Sequence, residues 1–148
     1  MEEGKTSQPF RPSNMMRIPV SSETEFFRWW CIFLRAFVHI TDKEIEVITS
    51  FLKIRKRLSA VISDQGVLDK MTMSEDSRRE VMKDCRISKQ NFYVLMSNLR
   101  KHGIIKGDSI EPMLIPNTRS RLNHAMSDLL IVFEDAGNGQ GDNKEGSQ

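Results

Sequence analysis

The sequence predicts a mostly α, α+β domain with a small β-hairpin, and three observations predict it. Apolar residues recur at helical spacing in the stretches 23–40, 42–59 and 89–101. Residues suited to helix caps stand at their edges: Ser22, Thr41 or Asp42, and Ser88 at the starts, and Gly103 just past the last end. Directly after Gly103, two short runs rich in Ile flank Lys106, Gly107, Asp108 and Ser109, which is turn chemistry between short strands.

Composition bounds the rest. The chain has 148 residues, 22 Lys plus Arg against 20 Asp plus Glu, a formal charge of +2, and 39% hydrophobic residues, enough for one ordinary domain. No run approaches the roughly 18 uncharged apolar residues that span a bilayer. The opening MEEGKTSQPFRPS is polar where a secretory signal carries bases and then an apolar stretch, so the expected location is the cytoplasm. Cys31 and Cys85 lie 54 residues apart, and His39, His102 and His124 do not cluster with them, so neither a disulfide framework, a metal site nor a cofactor is expected. Residues 1–17 and 135–148 mix small and charged residues without periodicity and read as disordered tails, the second acidic, around a domain at 18–134.

The near-neutral total hides a segregation of charge. Residues 64–76 carry one Lys against four acids, 78–106 carry eight Lys or Arg against two acids, and 134–148 carry one Lys against four acids. Because salt screens charge over about 8–10 Å, this basic middle matters more than the total for choosing a polyanionic partner.

The stretch 23–40 (ETEFFRWWCIFLRAFVHI) leaves one thin polar stripe, Glu25, Arg28, Arg35 and His39, on an otherwise apolar helix. Such a helix is expected to be wrapped on several sides, by its own domain or by a partner. Phe26, Trp29, Trp30, Phe33 and Phe37 are the candidates for partner or dimer contact. The next helix, DKEIEVITSFLKIRKRLS, has acids in its first turn and bases in its last, the order the helix dipole favours. Its inner face is Ile45, Ile48, Phe51, Leu52 and Leu58. The base cluster Lys53, Arg55, Lys56 and Arg57 reads either as phosphate contacts or as a solvated match to the dipole.

Residues 74–115 carry the functional argument. A short helix starts at Ser74 or Ser77 and stops before Arg86. Ser88 caps the next, whose Phe92, Leu95, Met96 and Leu99 obey i, i+3, i+4, i+7 and form one buried stripe. The opposite face shows Lys89, Gln90, Tyr93, Ser97, Arg100 and Lys101. Gly103 ends the helix at a positive φ. Ile104 and Ile105 open a first strand and 110–115 a second, in which Pro112 demands an edge or a bulge. After Pro116, Leu122, Ala125 and Met126 first suggest a short helix, and LLIVFED at 129–135 fits helix or strand. That run and the aromatic helix leave two arrangements open: a homodimer, or a monomer that packs the two on each other.

The stretch 40–116 resembles winged helix-turn-helix regulators, through TDKEIEVITSFL and then ISKQNFYVLMSNLRKHGIIKG, in which the recognition helix runs through Leu-Arg-Lys-His-Gly-Ile-Ile into the wing. The chain is also similar to small winged-helix proteins encoded by phages of gut bacteria. It departs from the pattern in its aromatic first helix, in the prolines of the wing and in a turn at 84–87 (DCRI) that lacks glycine.

The resemblance implies a winged helix-turn-helix domain with an extra aromatic-rich N-terminal helix and a hairpin wing at 104–115. It also implies a double-stranded DNA-binding protein acting in transcriptional regulation, in the host cytoplasm or the virion if phage-encoded. The helix 89–101 would enter the major groove, with Lys89, Gln90, Tyr93 and Ser97 at base edges. Arg78, Arg79, Arg86, Arg100, Lys101 and Lys106 would lie on phosphates. The alternative is a protein-interaction module, such as a phage structural or replication accessory protein. Enzymatic activity is not expected: His102 and Cys85 stand alone, and no paired carboxylates, phosphate loop or nucleophile elbow occur.

Overall fold

The computed structural model describes residues 18–116, 118–121 and 124–127. It is mostly helical with small two-stranded antiparallel sheets, and divides into two units, Met1–Ile115 and Pro116–Gln148. The expected tails and the 128–133 run lie outside the described residues.

In the first unit, helices α1 (Glu23–Leu34), α2 (Asp42–Ser59), α3 (Gln65–Thr72), α4 (Glu75–Asp84) and α5 (Lys89–Lys101) precede strands β1 (Ile105–Lys106) and β2 (Ser109–Ile110) and a 3-10 turn at Pro112–Leu114. Ser22, Thr41, Asp64, Ser74 and Ser88 each accept a backbone N–H of the first turn that would otherwise lack a partner. Such a cap contributes about 1 kcal/mol. At α2 the cap is reciprocal: Thr41 Oγ1 accepts the Glu44 N–H at 3.3 Å while the Glu44 carboxylate accepts the Thr41 N–H at 3.0 Å. Glu44 is buried there, with Nδ1 of His102 3.9 Å from its carboxylate.

The second helix is the hub. Ile45, Ile48, Phe51 and Leu52 are buried as expected and Leu58 is half-buried, but Val47 and Ile54, off that face, are buried too. The reason is that α1, α3, α4 and α5 all pack on α2. Phe51 meets Phe92 of α5 with ring centroids 6.3 Å apart, and each such buried side chain contributes about 1.5–3 kcal/mol.

The bases of α2 turn to acids on the neighbouring helices, a role that neither reading of the cluster included. Arg57 makes a bidentate pair with Glu80 of α4 at 2.7 and 2.8 Å, and Arg55 bonds Asp69 of α3 at 2.5 Å and Gln65 at 3.0 Å. Lys53 stands 3.9 Å from Asp84 of α4, and Lys56 3.9 Å from Glu23 of α1. The four bases pin neighbouring helices to α2. Lys53, Arg55 and Lys56 are half-buried in doing so, and Arg57 stays exposed while paired.

The first helix is shorter and barer than expected. It ends at Leu34, and Arg35 then turns back to Asp42 at 2.6 Å and to the Ile40 carbonyl at 3.1 Å. Only Phe27, Cys31 and Leu34 of α1 are fully buried, because α2 covers a single stripe of it. Wrapping on several sides is therefore not what the described residues show: Trp29, Phe33 and Phe37 are exposed. The short α3, which the sequence reading did not anticipate, buries Leu68 and Thr72.

The two turns around α5 are built alike. At its end, Ile104 N–H donates to Leu99 O and Gly103 N–H to Arg100 O, with Gly103 at φ +72°. At the end of α4, Ile87 N–H donates to Met82 O and Arg86 N–H to Lys83 O, with Arg86 at φ +52°. Both are Schellman closures, and the second places arginine where glycine is preferred.

The hairpin pairs Ile105 with Ile110 and Lys106 with Ser109 across Gly107 and Asp108, with Gly107 at φ +60°. The second strand stops at Ile110 instead of continuing to 115. Glu111 still donates to Ile104 O, but Pro112 has no N–H to extend the ladder and opens the 3-10 turn, which buries Leu114.

The second unit contains β3 (Thr118–Arg121) paired antiparallel with β4 (His124–Ser127), Thr118 opposite Ser127 and Arg121 opposite His124. The helix expected after Pro116 is thus a hairpin. Leu122 and Met126, four apart, satisfy a two-residue repeat as well as a helical one, and cross-strand bonds between these nearby segments decide the outcome.

Arg86→Gly is expected to raise stability by about 0.5–1 kcal/mol, because relief of the left-handed backbone outweighs the added freedom of the unfolded chain. Urea denaturation monitored by circular dichroism checks it.

Candidate nucleic-acid interface

The fifth helix is held on one side only. Ser88 Oγ accepts the Asn91 N–H at 3.2 Å, Phe92, Met96 and Leu99 are buried, and Leu95 is half-buried against the same core. Lys89, Gln90, Tyr93, Ser97, Arg100 and Lys101 are all exposed, the orientation the sequence predicts. Lys89 Nζ sits 6.0 Å from the Tyr93 ring centroid, one turn further on, a weak cation–π contact. Two exposed residues on this helix were missed: Asn91, and Val94, which is 57% exposed. The helical repeat was the signal that could have found Val94, since it stands two positions from both Phe92 and Met96 and so roughly 200° around the helix from each.

The six residues expected on phosphates divide into two groups. Arg86, Arg100 and Lys101 are exposed and make no ion pair among the described residues. The other three are engaged: Arg79 with Glu75 at 2.7 Å and Asp76 at 3.6 Å, Lys106 with Glu111 at 2.7 Å. Arg78 lies half-buried with its guanidinium 3.9 Å from Asp108 at the hairpin tip, and its Nε has no partner among the described residues. Arg78 therefore links α4 to the hairpin, and a phosphate must compete with Asp108 for it.

Among the five aromatic candidates on and after α1, Trp29, Phe33 and Phe37 remain open. Phe26 and Trp30 pack on the domain's own core, and the Trp30 indole N–H donates to Leu114 O at 2.8 Å.

A cleft of about 810 Å³ lies along α2 and α4, lined by Lys53, Lys56, Arg57, Glu80, Lys83 and Asp84 among others. The inter-helix pairs already described match Lys53, Lys56 and Arg57, while Lys83 and Arg86, which also line it, have no ion pair among the described residues. The Arg57 hydrogen bonds hold the Glu80 carboxyl below the ordinary glutamate range and raise the Arg57 guanidinium in turn. Burial pushes the thiols of Cys31 and Cys85 up to about 11, in Cys85 with help from Asp84 and Glu46, so neither is a thiolate at neutral pH. Among the described residues no cluster of His, Cys, Asp or Glu could hold a metal ion, and no helix is long and apolar enough to cross a membrane.

No protein-family model, curated protein or solved structure matches the chain.

Glu80→Gln is expected to lower stability at pH 7 by less than about 1 kcal/mol, because both partners are substantially exposed. The folded-state pKa of Glu80 is depressed, so this contribution is complete above the ordinary glutamate value of 4.5 and is lost as pH falls through the depressed one. Denaturation curves of the two proteins should converge there.

Proposed function

We propose that this chain is a double-stranded DNA-binding protein of the winged helix-turn-helix type, acting as a transcriptional regulator. On this reading α5 enters the major groove and the β1–β2 hairpin lies alongside as the wing. The observation that carries the reading is the outward face of α5: Lys89, Arg100 and Lys101 have no ion-pair partner among the described residues, whereas Lys53, Arg55, Lys56 and Arg57 of α2 are paired. With Arg86 in the preceding turn, Lys89, Arg100 and Lys101 put four open cations on one helix and its approach. Backbone phosphates are the partner that such a row of cations fits.

The left-handed backbone of Arg86 adds a second argument. Keeping a long cation where glycine relieves strain costs stability, and a phosphate contact is a use that offsets the cost.

A second reading is favoured by a different surface. Trp29, Phe33 and Phe37 recur at four-residue spacing and stay exposed, which suits a protein partner or a second copy of the chain.

Binding to duplex DNA across a salt series tests the main reading. Affinity should fall steeply with salt, and Arg100→Ala should flatten the slope of log K against log salt by about 0.9, the value of one lost phosphate contact. Binding that is absent, or unmoved by salt, defeats it. For the second reading, a Trp29→Ala, Phe33→Ala double variant should sediment as a smaller species than wild type if the partner is a second copy; identical sedimentation removes the second copy.

A further inference from the structure

We infer that Val94 is a specificity-determining residue of the same surface, reading thymine methyl groups, and that α5 therefore prefers A·T-containing steps. This inference rests on the DNA-binding reading. Gln90, Val94, Ser97 and Lys101 follow one another at spacings of four, three and four, and all are exposed. They form the ridge opposite the buried Phe92, Met96 and Leu99. Lys89, Tyr93 and Arg100 lie along one flank of that ridge. In a major groove the ridge, not the flank, approaches the base edges most closely.

Val94 is the one apolar member of the ridge, and the protein itself makes little use of it. It is 57% exposed, and it is β-branched in the middle of a helix, where an unbranched polar residue favours the helical state more. The only apolar group that base pairs present in the major groove is the thymine C5 methyl. Gln90 stands one helical turn before Val94, about 6 Å along the axis, against a base-pair rise of about 3.4 Å. A Gln90 carboxamide paired with adenine thus brings Val94 within reach of the neighbouring one or two base pairs, where a thymine presents its methyl. The stiff χ1 of valine presents its two methyls in a single arrangement, so the contact has a shape to match and needs no reordering.

Two duplexes that differ only in the methyl group test this: an alternating dA–dT duplex and the same duplex with deoxyuridine for thymidine. Wild type should bind the thymine duplex about fourfold more tightly for each methyl buried. Val94→Ser, a surface change that leaves the core intact, should bind both equally while keeping the wild-type salt dependence. Equal wild-type affinity for the two duplexes overturns the inference and leaves DNA binding standing. A preference that persists in Val94→Ser also overturns it, by assigning the effect to duplex stiffness. Failure of wild type to bind either duplex at any salt defeats both readings and leaves Val94 to a protein surface.

Discussion

The packing of four helices on α2 is the constraint from which the rest follows. Its apolar residues fill the centre, and its last turns send Lys53, Arg55, Lys56 and Arg57 outward to acids on α1, α3 and α4. Individually exposed ion pairs contribute little to stability. Together they link α1, α3 and α4 to α2 and engage the bases of its last turns. The cations of α5 and of the turn before it are left as the open positive charge next to the hairpin.

Local chemistry was legible in the sequence wherever the deciding interaction spans a few residues. Thr41, Ser74, Ser88 and Gly103 marked helix ends because a cap is made within three or four positions of itself. The stripe from Phe92 to Leu99 marked the buried side of α5 for the same reason. The outcome was hidden where distant residues decide. Whether Arg57 faces solvent or Glu80 depends on a helix 23 residues away, and the sequence reading offered only solvent or phosphate. The aromatic segment was expected to be enclosed by its own domain or by a partner because its composition is apolar, but composition does not say which neighbours arrive, and within the described residues α2 covers mainly one stripe. The hairpin at 118–127 was hidden because three apolar residues are too few to separate two periodicities.

The two closures flanking α5 show how one backbone solution can be reached with different side chains. Gly103 adopts its left-handed conformation at no steric penalty and leads directly into β1. Arg86 adopts nearly the same conformation against its intrinsic preference, held by its own N–H donating to Lys83 O and by Ile87 N–H donating to Met82 O. The departure noted in the sequence, a turn without glycine, thus leaves the backbone closure intact and adds a cation beside the start of α5. Stability and the proposed phosphate contact pull in opposite directions at this position.

The hydrogen bond from the Trp30 indole to Leu114 O joins positions 84 apart in the chain, and this has a consequence for biosynthesis. Translation proceeds from the N-terminus, so α1 emerges from the ribosome well before the carbonyl that fixes it. Until residue 114 clears the exit tunnel, the nascent chain carries an aromatic helix whose tryptophan has no acceptor in the finished arrangement. Docking of the Pro112–Leu114 turn supplies that acceptor, so the indole reaches its final partner only after all five helices have been made.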